Sequence, residues 1–435
     1  MIYLKSIGIV CTLILLASAA YAEEALLWKD CVKEAKKNHP DLISAKEKVN
    51  QAKAAREVTR STLMPQVSGT ASRTTSLSPS SATGGMVSAS SARRKPSTTY
   101  DYDVTGEQLV FDGFKGTFDL SGAERSVRAA KYIYDVTSSN IRLRLRTAFI
   151  NLLTAQELLK VTEDIEKRRA QNAELIKLRY EGGREHKGSL MTAEADLARA
   201  TYEVNQARRD IYVSQRRLVK ELGRSMFAPL VAIGALEAGS ADRVMPDFEK
   251  MAQTTPLLQQ LIEEKEAAKY GVRSAYADFF PQVYVSGSIG NTNTRWPPDK
   301  NSWSVGGNAT VPIFDGGKRR AALADAKAVL GQAKADERSG RDGVIFTLSD
   351  SWKALQDAID NVEVQRKFLE ATKERARIAE EEYSAGLLSF DNWIIIEDDL
   401  VSAKKSYVNA QASALIAEAN WIQAKGGTID DDQGQ

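Results

Sequence analysis

The sequence repeats itself. Phe111-Asp112-Gly113 returns 203 residues later as Phe314-Asp315-Gly316, and Tyr180, Gly183, Leu197, Ala200 and Gly223 return at that offset as Tyr383, Gly386, Leu400, Ala403 and Gly426. Earlier matches lie 216 apart: Pro40 with Pro256, and Pro65-Gln66-Val67 with Pro281-Gln282-Val283. Whatever one half builds, the other must build again. The first half must also house thirteen extra residues between its Pro-Gln-Val and Phe-Asp-Gly motifs. An insertion of that kind is tolerated in a solvated loop, and Arg73 to Thr99, rich in Ser, Thr, Gly and Pro, reads as one.

Each repeat reads as helix, strand, loop, strand, long helix, turn, helix. The first repeat is expected over 23–223, with a strand hairpin at about 64–111 and long helices at about 113–181 and 189–222. The second is expected over 247–426, with a hairpin at about 281–314 and helices at about 316–384 and 391–425. Residues 224–246, carrying Pro229, Gly234, Gly239 and Pro246, join them, and 427–435 read as a disordered acidic tail. The first helices, Trp28 to Leu63 and Phe248 to Phe280, are rich in strong helix formers. Each stops before a proline, Pro65 or Pro281, which cannot continue a helix.

The strands alternate with period two. Val283, Val285, Gly287 and Ile289 alternate with polar neighbours, as do Trp303, Val305, Gly307 and Ala309, and the first repeat offers Tyr100, Tyr102, Val104 and Gly106. Tyr100, Tyr102, Trp296 and Trp303 cluster at one end, as the interfacial girdle of a membrane barrel requires. A soluble sandwich strand with one wet face gives the same alternation, so the pattern leaves both open.

No proline interrupts Asp112 to Tyr180 or Asp315 to Tyr383. Helices of that length, about 100 Å at 1.5 Å per residue, do not fit inside a compact globular domain. The returning helices carry a heptad seam: Ile396, Leu400, Ala403, Tyr407, Ala410, Ala414, Ala417 and Trp421, matched by Ala193, Leu197, Ala200, Val204, Ala207, Ile211, Ser214 and Leu218. A 3.5-residue period means coiled-coil packing, and alanines allow close approach.

Residues 1–22 read as a cleaved secretory signal: Lys5, a short apolar core, then Ala20-Tyr21-Ala22. Loss of Lys5 takes the net charge from +2 to +1, which gives no argument for a nucleic-acid partner. Cys11 leaves with the signal and Cys31 stands alone, so no intramolecular disulfide forms. The two histidines, His39 and His186, have no partner at metal-ligand spacing, and no phosphate loop or nucleophile elbow is present. Neither catalytic residues nor a metal or cofactor are expected, and the chain does not read as an enzyme.

Four strands per chain cannot close a pore, and open edges are not tolerated in lipid. Chains must therefore associate; eight strands fill their own interior, whereas twelve leave a lumen. The expected fold is mainly α with membrane β: two tandem repeats of long helices, and four strands per chain that share a closed β-barrel with other copies.

These residues resemble the TolC-like outer-membrane efflux family over essentially the whole mature chain. The resemblance rests on Asn38-His39-Pro40, Pro-Gln-Val entering a strand, Phe-Asp-Gly ending one, the tip glycines, and Ala195-Asp196-Leu197 or Asp398-Asp399-Leu400. It implies a homotrimer in outer-membrane lipid, with four strands per chain in a shared twelve-stranded trimeric β-barrel and a long α-helical barrel that crosses the periplasm. It also implies docking to a periplasmic adaptor and an inner-membrane transporter, in tripartite efflux or type I secretion. Tyr180, Gly183, Tyr383, Gly386, Leu387 and Leu388 then mark the periplasmic tips that dock the adaptor. The first tip, Arg184-Glu185-His186-Lys187, is charged where the second is apolar.

The family often places an aspartate six residues after the tip glycine, and TolC-like gates add another three later. Here those positions are Asn392 and Ile395 after Gly386, and Ser189 after Gly183. Asp391 lies one residue off, and Asp399 shares the helix face of Asn392. The entrance gate is expected among Ser189, Asp391, Asn392, Ile395 and Asp399, with an acidic ring displaced to Asp399 or Asp391. Asp399 as an ordinary surface carboxylate is the competing reading. Rival functions are a periplasmic coiled-coil adaptor, which has one helical hairpin in a mainly β chain, and a structural stalk, which needs no strand pairs.

Overall fold

The computed structural model describes residues 24–77, 96–237 and 243–431. The expected signal, most of the inserted loop and the last four residues lie outside the described residues. Among those described, the order is β1 (Glu24–Leu27), α1 (Trp28–Asn38), α2 (Pro40–Ser61), β2 (Gln66–Ser76), β3 (Ser97–Phe111), α3 (Lys115–Glu181) and α4 (Lys187–Leu222). Then come β4 (Leu230–Ile233), α5 (Phe248–Ala252), α6 (Pro256–Ala277), β5 (Gln282–Asn293), β6 (Lys300–Thr310), α7 (Lys318–Ser384) and α8 (Phe390–Ala424). α3 and α7 each run 67 residues without a break.

The chain divides into two compact units. One holds residues up to 47, 132–259 and from 340 on; the other holds 48–131 and 260–339. In the first, the largest core gathers Leu26, Cys31, Val32, Leu145, Phe149, Leu152, Leu218, Leu222, Leu230 and Ile429. β1 and β4 pair in parallel there, Glu24 opposite Leu230 through Leu27 opposite Ile233. The heptad positions Ala193, Ala200, Val204, Ala207 and Leu218 are buried, as are Ile396, Leu400, Ala403, Ala410, Ala414 and Ala417.

The second unit holds one antiparallel sheet of order β2-β3-β5-β6. Successive side chains point to opposite faces, so the register sorts the strands into two surfaces. Gly69, Val104, Ile289 and Trp303 form one row across all four strands, and Val67, Gly106, Gly287 and Val305 the next on that face. The row between them, on the other face, is Ser68, Thr105, Ser288 and Ser304.

The structure corrects several expectations. The first helix of each repeat is two helices, because Pro40 and Pro256 have no N–H to continue a preceding helix and instead start a new one. The loop expected from Arg73 to Thr99 is shorter at both ends, since strand pairing runs to Ser76 opposite Ser97. β6 stops at Thr310 rather than reaching Phe314, and Pro312 lacks the donor a ladder needs. The described part of the tail is packed: Ile429 is 0% exposed, its N–H donates to Ser138 Oγ at 3.2 Å, and Asp430 pairs with Lys36. Apolar burial of a single isoleucine overrides the acidic residues around it.

The repeat glycines have a structural reason. Gly223 caps α4 at φ 75°, and a Cβ there would lie 2.4 Å from the Asn38 carbonyl oxygen at the α1–α2 break. Gly426, at φ 84°, would put a Cβ 2.3 Å from Pro256 Cδ at the matching break. Both repeats bring a helix end against the start of a proline-led helix, and only glycine leaves room.

Candidate functional site

The residues expected at functional sites fall on two surfaces, one in each unit. The first is the sheet. Its apolar face carries Tyr100 and Tyr102 on β3 and Trp303 on β6, all on the side of Val104 and Ile289. Trp296, in the β5–β6 turn, meets Tyr100 edge-on at 5.7 Å, and Arg73 lies over the Tyr100 ring at 5.7 Å. Tyr102 accepts from Asn291 Nδ2 at 2.6 Å. Trp296 and Trp303 are exposed on the monomer. The opposite face is lined by hydroxyls: Ser288 and Ser304 touch at 2.9 Å, and Thr70 and Thr105 both donate to Asp103. Asp101, Asp103 and Glu107 are the acidic groups on this face of the four strands, and Lys300 is its basic group. β2 and β6 are edges, so the sheet is open on both sides.

The second surface is the pair of helix tips. Each ends in the same left-handed cap. Gly183, at φ 69°, donates to Tyr180 O at 2.9 Å while Arg184 N donates to Arg179 O. Gly386, at φ 77°, donates to Tyr383 O at 3.1 Å while Leu387 N donates to Glu382 O. The next helices start from His186 and Ser389, whose side chains accept from Ser189 N and Asn392 N.

The tips are clasped together by Tyr383 and two groups absent from the expected site, Arg179 and Glu185. Arg179 donates to the carbonyls of Tyr383 and Ser384, both at 3.1 Å, covering the free end of α7. Its guanidinium sits 4.4 Å from the Tyr383 ring centre. The Tyr383 hydroxyl donates to Glu185 at 2.9 Å, and burial together with that carboxylate pushes the phenol up to about 12. Leu175, Leu190, Phe390, Trp393 and Ile396 fill the space behind.

These contacts redistribute the expected site residues. Tyr383, expected on the docking surface, is 2% exposed and acts as an internal strut, while Tyr180 stays exposed. Leu387 is 80% exposed, and Leu388 packs partly against the cluster behind. Ser189, expected at the gate, is buried, its hydroxyl donating to Glu185 at 3.1 Å. Asp399 is paired with Arg375 at 3.1 Å, which leaves little net charge for an acidic ring. Asp391, Asn392 and Ile395 are exposed on the first turns of α8.

Sequence reading missed a seam of ion pairs between α3 or α4 and α8. Arg168 donates to Glu397 at 3.3 Å, buried Arg169 binds Asp398, and Lys404 and Lys405 reach Asp164 and Glu203 at 2.6 and 2.7 Å. Burial pushes the Glu397 carboxyl above the usual range despite the arginines. Helical charge runs usually mean solvated faces, so long-range pairing gives no local signal.

A sheet with an aromatic apolar face and a hydroxyl face, in one chain with two long helical hairpins, defines the class of outer-membrane channels. The outer membrane efflux protein family model matches residues 31–224 and 249–427, and the chain belongs to that family. It is 24% identical to the toluene efflux pump outer membrane protein TtgC of Pseudomonas putida, covering 92% of this chain and 82% of that one. It is 22% identical to the outer membrane efflux protein BepC of Brucella suis, covering 75% and 73%. The fold matches crystallographic CusC with a TM-score of 0.82 at 16% identity, covering 92% of each chain. Its place is the outer membrane. Among the described residues no group of side chains is placed to hold a metal ion, and no helix is long and apolar enough to cross a membrane.

Proposed function

We propose that three copies assemble into an outer-membrane duct that passes cargo from an inner-membrane transporter, through a periplasmic adaptor, to the outside. The open four-stranded sheet carries this reading: its edges need partners, and three copies bring twelve strands, enough for a lumen. The apolar face with Tyr100, Tyr102, Trp296 and Trp303 would meet lipid, and the hydroxyl face would line the passage.

Comparison of the repeats supports a ring of copies. Ile165 on α3 is 4% exposed within its own chain; the matching Phe368 on α7 is 61% exposed. Leu415 on α8 is buried, and its counterpart Tyr212 on α4 is exposed. α7 and α4 thus each bare the face that their repeat partners bury. Two different bare faces on one chain fit a head-to-tail contact, which closes into a ring.

The exposed tip residues Tyr180 and Leu387, with half-buried Leu388, held by the turns at Gly183 and Gly386, would dock the adaptor. The Arg179–Tyr383–Glu185 clasp, not an acidic ring at Asp399, would hold the two tips of a chain together at the entrance. Crosslinking to the adaptor tests the docking role: Leu387→Asp should abolish it while the trimer persists, and intact crosslinking would remove Leu387 from the interface.

A further inference from the structure

The two histidines of this chain do the same unusual job. His186 is the N-cap of α4, and its Nδ1 accepts from Ser189 N at 3.1 Å. His39 precedes α2, and its Nδ1 accepts from Asp41 N at 3.2 Å. An imidazole nitrogen accepts only when it carries no proton. Both histidines lie in the first repeat. At the matching places the second repeat has Ser389, whose hydroxyl accepts from Asn392 N, and Thr255, whose hydroxyl donates to Ala252 O. Neither hydroxyl changes charge with pH.

We propose that this pairing makes the helix starts of the first repeat acid-sensitive, and that the second repeat is built to be indifferent. Histidine is the side chain whose ordinary charge change falls between pH 5 and 8. Once protonated, Nδ1–H of His186 faces the Ser189 N–H, donor against donor, at the positive end of the α4 dipole.

The surroundings do not rescue the cap. The imidazole lies against Gly188, where a Cβ would come within 2.9 Å of Nδ1, and its Nε2 sits 3.1 Å from Ser189 Oγ. Ser189 Oγ in turn donates to Glu185, which also accepts from Tyr383. Arg184 and Lys187 flank the cap in the chain, and Arg179 lies beyond, on the Tyr383 ring. Glu185 attracts an imidazolium, but that attraction draws the ring off Ser189 N and competes with the Tyr383 hydroxyl. Either movement removes the cap and weakens the clasp.

At His39 the facing groups are Glu221, 3.5 Å from Nε2, and Asp41. Arg144 reaches Asp41 at 2.6 Å and Glu221 at 3.6 Å, and Lys220 reaches Glu221 at 3.1 Å. With Nδ1 accepting from Asp41 N, the neutral ring carries its proton on Nε2, toward Glu221, so a second proton must go to Nδ1 and evict Asp41 N.

Peptide-resolved hydrogen exchange on the full chain in its solubilised assembly tests this at pH 7.5 and 5.5, after correction for intrinsic exchange. The duct reading is not needed, because conductance is not the readout. Amides at 187–192 and 41–45 should open roughly fivefold more at the lower pH, the population change that goes with a lost cap. Amides at 390–395 and 257–261 should not respond. His186→Ser should abolish the response at 187–192 and leave that at 41–45. Equal responses in both repeats, no response in either, or a response that survives His186→Ser at 187–192, would each overturn the proposal.

Discussion

The ring of Tyr383 lies flat on that of Trp393, centroids 4.4 Å apart and planes 6° from parallel. Arg179 covers the other approach to Tyr383, and Phe390 meets both rings edge-on. Stacked aromatics contribute beyond their buried area. Trp393→Ala should therefore cost about 3–5 kcal/mol in melting of the solubilised protein. Trp393→Phe should cost less than about 2 kcal/mol, because the indole Nε1 has no hydrogen-bond partner among the described residues and none is lost. Tyr383→Phe keeps the stack but frees Glu185, at about 1 kcal/mol, and should raise the open probability of the entrance in single-channel recordings.

Four of the six repeat-matched glycines at positive φ, those that end the long helical hairpins, separate into two kinds. Gly223 and Gly426 face backbone or proline ring, whereas Gly183 and Gly386 face open space. Gly223→Ala and Gly426→Ala should each destabilise by about 2–4 kcal/mol, combining left-handed strain with overpacking. Gly183→Ala and Gly386→Ala carry the strain alone, about 1–2 kcal/mol. Thermal melts of the four variants measure the difference directly.

Glu397 gives a pH signature of known sign. Burial holds its folded carboxyl above the ordinary range. Its contribution to stability is therefore fully present below the ordinary carboxylate value and is lost as pH rises through the folded one. Glu397→Gln should be more stable than wild type at pH 7 and show a flatter rise in stability from pH 7 down to pH 4.5. Urea titrations across that window supply the check.

Phe368 tests the contact between copies. Phe368→Asp should leave the chain folded by circular dichroism, because the side chain faces outward, yet shift the solubilised species from trimer toward monomer by light scattering. Unchanged trimer would remove the bare face of α7 from the interface.

The parts legible in the sequence were those with a local period. Alternation at Val283 to Ile289 and heptads at Ile396 to Trp421 each declare their element within a few turns. The parts that escaped depend on partners far along the chain. β1 is four residues long and exists because Leu230 to Ile233 pairs with it. The burial of Ile429 depends on a core drawn from α1, α3 and α4. At the tips, Tyr180 and Tyr383 are the same letter in the same motif, but only Tyr383 meets Arg179, Glu185 and Trp393. Asp399 reads in the sequence as a candidate pore carboxylate, but Arg375, 24 residues upstream, pairs with it in the fold.

Planar-bilayer conductance of the purified trimer asks directly whether three chains form a duct. Discrete channels that prefer cations are expected, because Asp101, Asp103 and Glu107 outnumber Lys300 on the hydroxyl face, with the preference reduced in the Asp101→Asn, Asp103→Asn, Glu107→Gln triple variant. A protein that stays soluble without detergent and yields no conductance would contradict the duct reading.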